Sequence, residues 1–133
     1  WIRYVMDNFY GNTPDALSGN DDCGQMSAWY IFNSMGFYPT CPSSNIYNIG
    51  SPGLPAVTMI LGNGKKVEVT TDNYGKENVY VQRMMLNGIP YDKTYITYDD
   101  IKDGALIKFV LGPSPNEQWG TSENAVAPSG IEI

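Results

Sequence analysis

Hydrophobic residues near the start of the chain recur at helical spacing. Residues 1–10 (WIRYVMDNFY) carry apolar side chains at positions 1, 2, 5, 6 and 9, which predicts a helix that ends at Gly11. A second helix is predicted over about Gly24–Met35, where large apolar side chains cover nearly the whole circumference. Gly36 is placed to form its left-handed C-terminal cap, and Pro39 prevents its continuation. A helix that is apolar nearly all round is expected to be buried in a large body.

Beyond Gly36 the pattern changes to short runs with a period of two, which is typical of strands. Gly62-Asn63-Gly64 and Asn87-Gly88 separate pairs of such runs, and both sequences favour hairpin turns. The expected strands are Ile46–Ile49, Val57–Leu61, Val67–Thr71, Asn78–Leu86, Ile89–Tyr91, Tyr95–Tyr98 and Ala105–Leu111.

Two helices followed by six or seven strands indicate an α+β fold. We expect the helices in residues 1–38, an antiparallel, β-sandwich-like region in residues 39–112 and an irregular tail in residues 113–133. The 133 residues suffice for one domain, and a hydrophobic content of 42% permits a packed core. Because the chain begins at Trp1 within a helical pattern, we expect it to be a piece of a longer protein.

Composition excludes several classes of function. Fourteen acidic residues against eight basic ones give a net charge of −6, which argues against nucleic-acid binding. The chain has no histidine, so it contains neither a Ser-His-Asp triad nor a histidine-ligated zinc site. No apolar run reaches the roughly 18 residues of a membrane span. Cys23 and Cys41 are expected to be reduced, mostly buried thiols, and without a histidine Cys23 is not expected to be a nucleophile.

Polar chemistry is concentrated in Leu17–Ser27 (LSGNDDCGQMS), which opens directly into the second predicted helix. The segment contains two adjacent carboxylates, Asp21 and Asp22. Asp22 and Gln25 have the D-x-x-Q spacing of a capping box, so the spacing alone favours Asp22 as a helix cap. The alternative is that this polar turn is a functional site.

The segment GNDDCGQMSAWYIFNSMGFYPTCP, residues 19–42, resembles the C-terminal signature of the glycoside hydrolase family 92 α-mannosidases. The resemblance continues more weakly through NIYNIGSP, LNGIPYD, DGALIKFVLG and Trp119-Gly120, so it extends over most of the chain. It implies that the two helices are the last pair of an (α/α)6 catalytic barrel and that the strands form an appended sheet. It also implies further domains, the barrel and an N-terminal region, upstream in the same parent chain.

The family hydrolyses α-mannosides with inversion and depends on calcium, so the resemblance implies an exo-acting enzyme for mannose-containing N-glycans or mannans, with α-1,2 linkages expected. Asp22 would be the general base, and Asp21 its neighbour. Some members carry a carboxylate where this chain has Asn20, which here only hydrogen-bonds, so we assign Asn20 to substrate binding. The general acid and the main calcium ligands would lie upstream. The fragment alone is therefore expected to be inactive and not to hold calcium tightly, and the parent to be periplasmic, secreted or cell-surface.

The alternative function is a non-catalytic β-sandwich accessory or carbohydrate-binding module. Such a module would display coplanar exposed aromatic side chains on a sheet face, whereas a catalytic end would expose an acidic loop beside an apolar helix. Trp119 is interpreted as a lid over the sheet rather than a sugar-stacking platform. Asp99–Asp103 is interpreted as a solvated helical turn capped by Asp99. Apolar side chains of both helices are expected to be exposed, which favours self-association through the helical end.

Overall fold

The computed structural model describes residues 1–128, and the end of the predicted tail, residues 129–133, lies outside the described residues. The helices are α1 (Ile2–Phe9), α2 (Gln25–Met35) and the short α3 (Tyr98–Ile101). The strands are β1 (Phe37–Tyr38), β2 (Ile46–Ile49), β3 (Ala56–Ile60), β4 (Lys66–Asp72), β5 (Tyr80–Leu86), β6 (Ile89–Tyr91), β7 (Tyr95–Thr97) and β8 (Ala105–Gly112). The predicted helices and strands are present, with ends that differ by one or two residues, and the α+β class is confirmed.

The strands form two sheets. One has three antiparallel strands in the order β1-β2-β7, and the other has five in the order β3-β4-β8-β5-β6. In the larger sheet β4 and β8 run parallel, with Val67 opposite Ala105 and Asp72 opposite Val110. The expectation of a wholly antiparallel region is wrong at this pair. The β5–β6 hairpin, β7 and α3 separate β4 from β8, and a connection of that length lets β8 return in the direction of β4.

Both predicted hairpin turns are found. Ile60 pairs with Lys66 across the turn that contains Gly64, whose φ is +78°. Leu86 pairs with Ile89 across Asn87-Gly88, where φ is +52° and +80°. A type I′ turn requires positive φ at both central residues, and this requirement explains the Asn-Gly pair.

The hydrophobic core lies against the inner face of the five-stranded sheet. Strand β4 alternates between buried and exposed residues, as its sequence predicts, and β8 buries alternate side chains against the same core. The largest fully buried side chains include Phe37, Phe109, Met84, Ile96 and Ile107.

Helix α2 is attached to this core at its C-terminal end. Gly36 has φ of +92°, and a Cβ there would lie 3.1 Å from both the Phe109 ring and Pro52. Gly36 therefore satisfies the left-handed cap and the close packing together. Met35 is buried beside it. The sheet thus holds one end of α2, and the other end carries the acidic loop.

Trp119 lies against the sheet region, in agreement with its interpretation as a lid. It is half-buried against the core cluster, and its indole N–H donates to the backbone carbonyl of Tyr91 at 3.0 Å. The neighbouring Gly120 N–H donates to the carboxylate of Asp92 at 2.9 Å. A tryptophan fixed in this way is not a free stacking platform for a sugar.

Two sequence-based expectations are wrong in detail. Cys23 and Cys41 are exposed free thiols rather than buried ones, because both lie in turns. The cap of α3 is Thr97, which forms a reciprocal capping box with Asp100. Asp99 instead pairs with exposed Lys102 at 2.7 Å, because the N-cap lies two residues before the predicted one.

Apolar side chains of both helices are exposed, as expected. In α1 and at its start, Trp1 is 96% and Tyr4 54% exposed, and in α2 Ile31 is 59% and Tyr30 39% exposed. Among residues 1–128 no helix is long and apolar enough to cross a membrane.

Candidate active site

The acidic loop lies between α1 and α2 and turns sharply into α2. Asp22–Gly24 forms one 3-10 turn, in which Cys23 has φ of +54° and ψ of +22°. Gly24 follows with φ of +75°. A cysteine in the left-handed region is conformationally costly, so neighbouring interactions must hold the turn in this shape.

Asp21 supplies these interactions. Its Oδ1 accepts hydrogen bonds from the backbone N–H of Met26 at 2.8 Å and of Ser27 at 3.1 Å. Its Oδ2 accepts from the Ser27 hydroxyl at 2.6 Å, and its carbonyl accepts from Gly24 N–H at 3.0 Å. The first turn of a helix has unsatisfied N–H groups, and Asp21 satisfies two of them.

The cap predicted at Asp22 is therefore wrong by one residue. The left-handed conformations of Cys23 and Gly24 rotate the chain so that the carboxylate of Asp21, rather than that of Asp22, meets the start of α2. This rotation cannot be predicted from the spacing of residues along the sequence.

Hydrogen bonds also set the charge of Asp21. Those from the Ser27 hydroxyl and backbone, followed in importance by that from Met26, hold the pKa of the Asp21 carboxyl below its usual range despite partial desolvation. Hydrogen bonds donated to a carboxylate favour its charged form. Asp21 is consequently an ionised, fixed group and a poor proton acceptor.

Asp22 is in the opposite situation. Its side chain is exposed and makes no hydrogen bond with any group in residues 1–128. Asn20, on the other side of Asp21, is exposed as well. The side chains of Asp22 and Asn20 thus face outward, whereas the carboxylate of Asp21, between them in the sequence, stabilises the loop.

Tyr10 fastens the end of α1 to the start of α2. Its hydroxyl donates to the backbone carbonyl of Met26 at 3.1 Å, and its ring stacks on Trp29 at 5.5 Å and contacts Tyr30 at 5.0 Å. Burial, and next the charge of Asp21, raise the pKa of Tyr10, so it stays a neutral hydrogen-bond donor. No sequence pattern indicates this role of Tyr10, because the contact joins positions 16 residues apart.

A cavity of about 400 Å³ lies beside the loop and is lined in part by Tyr10, Leu17, Ser27, Tyr30 and Ile31. Its wall includes Leu17 of the loop and Ser27 of α2, the hydrogen-bond partner of Asp21. Neither Asp22 nor Asn20 lines it. The outward-facing groups of the loop and the apolar cavity are therefore separate features.

The donor atoms of this region do not form a calcium cage. In residues 1–128 no three side chains among Cys, Asp and Glu are grouped closely enough to hold a metal ion. Calcium takes six to eight oxygen ligands, whereas the outward-facing side chains here are Asp22 and Asn20. The outward-facing side chains of the loop therefore supply fewer oxygen ligands than calcium takes.

Comparisons with known proteins bear on this loop and fold. The family model described as the glycosyl hydrolase family 92 catalytic domain matches residues 1–113. A family GH92 α-mannosidase from Bacteroides thetaiotaomicron, solved also in complex with mannoimidazole, is 60% identical with a TM-score of 0.94, and the match covers 97% of this chain and 17% of that chain.

Two more distant relatives extend the comparison. A family GH92 inverting mannosidase from the same bacterium is 36% identical with a TM-score of 0.87, over 95% of this chain and 17% of its own. An uncharacterized secreted glycosidase from Arthroderma benhamiae is 35% identical over 129 residues, which are 95% of this chain and 16% of that protein. The chain thus spans about a sixth of the length of these relatives.

Proposed function

Because the chain belongs to glycosyl hydrolase family 92, we propose that it is the C-terminal part of an exo-acting α-mannosidase. The enzyme would remove terminal α-linked mannose from N-glycans or mannans, with α-1,2 linkages first. The similarity to an α-mannosidase solved with mannoimidazole supports mannose as the sugar. The small share of each relative that is matched supports a longer parent protein.

Hydrolysis with inversion requires a carboxylic acid on one side of the glycosidic bond and a carboxylate base on the other, roughly 6.5–9.5 Å apart. The relative named an inverting mannosidase supports this stereochemistry. Asp21 and Asp22 do not serve as that pair, because Asp21 is fixed to α2 through three hydrogen bonds. The acid would come from a part of the polypeptide outside this chain.

The observation that carries the proposal is the contrast between the two adjacent carboxylates. Asp21 is held ionised by the start of α2, whereas the side chain of Asp22 is exposed and makes no hydrogen bond within the described residues. A general base needs an accessible carboxylate that takes a proton from the attacking water. Asp22 is therefore our general base, and Asp21 holds the loop that presents it.

Asn20 would complete the outward face of the loop. Its amide donates and accepts hydrogen bonds but takes no proton at neutral pH, so we assign it to orienting the sugar or the water. In the parent enzyme calcium would depend on ligands outside residues 1–128, because the described residues form no cage for it. We place the parent outside the cytoplasm, as supported by the relative named a secreted glycosidase.

The alternative, a non-catalytic carbohydrate-binding module, is not favoured by the outer face of strands β3, β4 and β8. The outward-facing residues of strands β3, β4 and β8, all fully described, include no aromatic side chain. They are Ala56, Thr58, Ile60, Lys66, Glu68, Thr70, Asp72, Leu106, Lys108 and Val110. A sugar-binding sheet face would need stacked rings there.

The experiment uses the full-length parent protein and mannobioses with α-1,2, α-1,3 and α-1,6 linkages. We expect mannose release, fastest from the α-1,2 disaccharide, with β-mannose as the first anomer in proton NMR spectra recorded before mutarotation. α-Mannose as the first anomer would contradict inversion, and no release from any substrate would contradict the mannosidase. Faster release from another linkage would correct the substrate assignment alone.

A further inference from the structure

A second cavity, of about 610 Å³, lies beside α1 and shares no lining residue with the acidic loop. It is bordered by α1, by Ser51 and by the start of β5. Two polar groups in its wall, the guanidinium of Arg3 and the hydroxyl of Ser51, lack the partners that buried groups of their kind have. The Arg3 guanidinium indicates which kind of chemical group can bind in the cavity.

Arg3 is 8% exposed, which is unusual for a charged residue. It donates one hydrogen bond, from Nη1 to the carbonyl of Pro52 at 2.8 Å, and its guanidinium lies 5.6 Å from the centre of the Tyr74 ring. The ion pairs recorded within residues 1–128 both involve lysines. A guanidinium has five N–H donors. The Arg3 donors that make no hydrogen bond are not fully buried, so they are accessible from the cavity or from solvent.

The Ser51 hydroxyl oxygen is fully buried and has no hydrogen-bond partner in the described part of the chain. A buried hydroxyl without a partner is destabilising, and in folded proteins it usually indicates a missing group. Ser51 lines the same cavity as Arg3. The Ser51 hydroxyl oxygen itself is not accessible from this cavity, so the polar group that faces the open space is the Arg3 guanidinium.

A carboxylate satisfies the guanidinium of Arg3, because it accepts two parallel hydrogen bonds from such a group. The border of the cavity is aromatic, since Trp1, Tyr4 and Tyr80 are 96%, 54% and 41% exposed. Asp7 also lines the cavity but is exposed and not within 4.0 Å of the Arg3 nitrogens.

We propose that Arg3 binds an aspartate or glutamate side chain from the full-length polypeptide outside residues 1–133, with apolar neighbours of that acid packing on Trp1, Tyr4 and Tyr80. This inference rests on the proposal that the chain is part of a longer enzyme. Relatives about six times as long provide chain for such a segment. The contact would fix α1, whose far end is joined to α2 through Tyr10, against the rest of the enzyme.

The test compares thermal unfolding of the full-length protein with Arg3→Met, which keeps the apolar stem, and with Arg83→Met as the matched control at the other, exposed arginine. Arg3→Met should lower the Tm by at least about 5 °C at pH 7, because it leaves a buried carboxylate unpaired. Arg83→Met should have little effect. The deficit should shrink at pH 4.5, where the unpaired acid takes up a proton, and Arg3→Lys should restore part of the loss.

Several outcomes would overturn the proposal. The first is an Arg3→Met deficit no larger than that of Arg83→Met. The second is a deficit that does not change with pH, which would show that only the contacts of Arg3 with Pro52 and Tyr74 had been lost. An equal loss in Asp7→Asn or Glu132→Gln would place the acid within this chain. Acetate that stabilises the wild type but not Arg3→Met would show a site open to free anions. These measurements do not use catalysis, so they succeed or fail independently of the mannosidase assay.

Discussion

Asp22→Asn in the full-length protein is expected to remove most of the hydrolysis and to leave the fold unchanged. Asparagine keeps the shape of the side chain but accepts no proton, and a positioned general base contributes about 10²–10⁴-fold. The kcat should fall by at least about 10²-fold, which corresponds to about 2.7 kcal/mol of transition-state stabilisation. The Tm should stay the same, because the Asp22 side chain is exposed and makes no hydrogen bond within the described residues.

Asp21→Asn is the matched control, since it makes the same chemical change one residue away. It replaces a carboxylate that accepts hydrogen bonds from Met26 and Ser27, so it should lower the Tm while kcat falls less than in Asp22→Asn. The assay is release of nitrophenol from an aryl α-mannoside with saturating calcium, with unfolding followed by circular dichroism. Near wild-type turnover in Asp22→Asn, or a Tm loss as large as that of Asp21→Asn, would refute the division of roles between the two residues.

Three other outcomes concern the loop, the fragment and the helical end. In the full-length protein, Asp21→Ala should lower the Tm by several degrees. The pKa of Asp21 is lower in the folded protein than in the unfolded chain. Its contribution to stability is therefore present above the unfolded pKa and is lost as the pH falls through the folded pKa. The difference in Tm between Asp21→Ala and the wild type should accordingly disappear in acid. The 133-residue chain alone should not cleave an aryl α-mannoside with or without calcium, and calcium-dependent turnover by the pure chain would contradict this. Light scattering should show that the same chain self-associates through exposed Tyr30 and Ile31. Ile31→Ser should weaken the association. A monomer at high concentration would show that the exposed apolar patch does not drive association.

Much of the architecture could be predicted from the sequence because it depends on neighbouring residues. The Asn87-Gly88 turn requires positive φ at two adjacent positions, and Gly36 requires it at one. The alternation along β4 follows from the two-residue period of a strand with one buried face. The family was recognised from the fixed order of residues in GNDDCG and the helix after it, which is likewise a local property.

The tertiary structure decided the points that depend on chain direction and on distant contacts. The left-handed turn at Cys23 selects Asp21, rather than Asp22, as the side chain that caps α2, whereas the D-x-x-Q spacing of the sequence points to Asp22. The Tyr10 contact spans 16 residues, and the parallel pairing of β4 with β8 joins Val67 to Ala105. Such pairings depend on burial of the whole core, and the free energy of that burial cannot be inferred from any short segment.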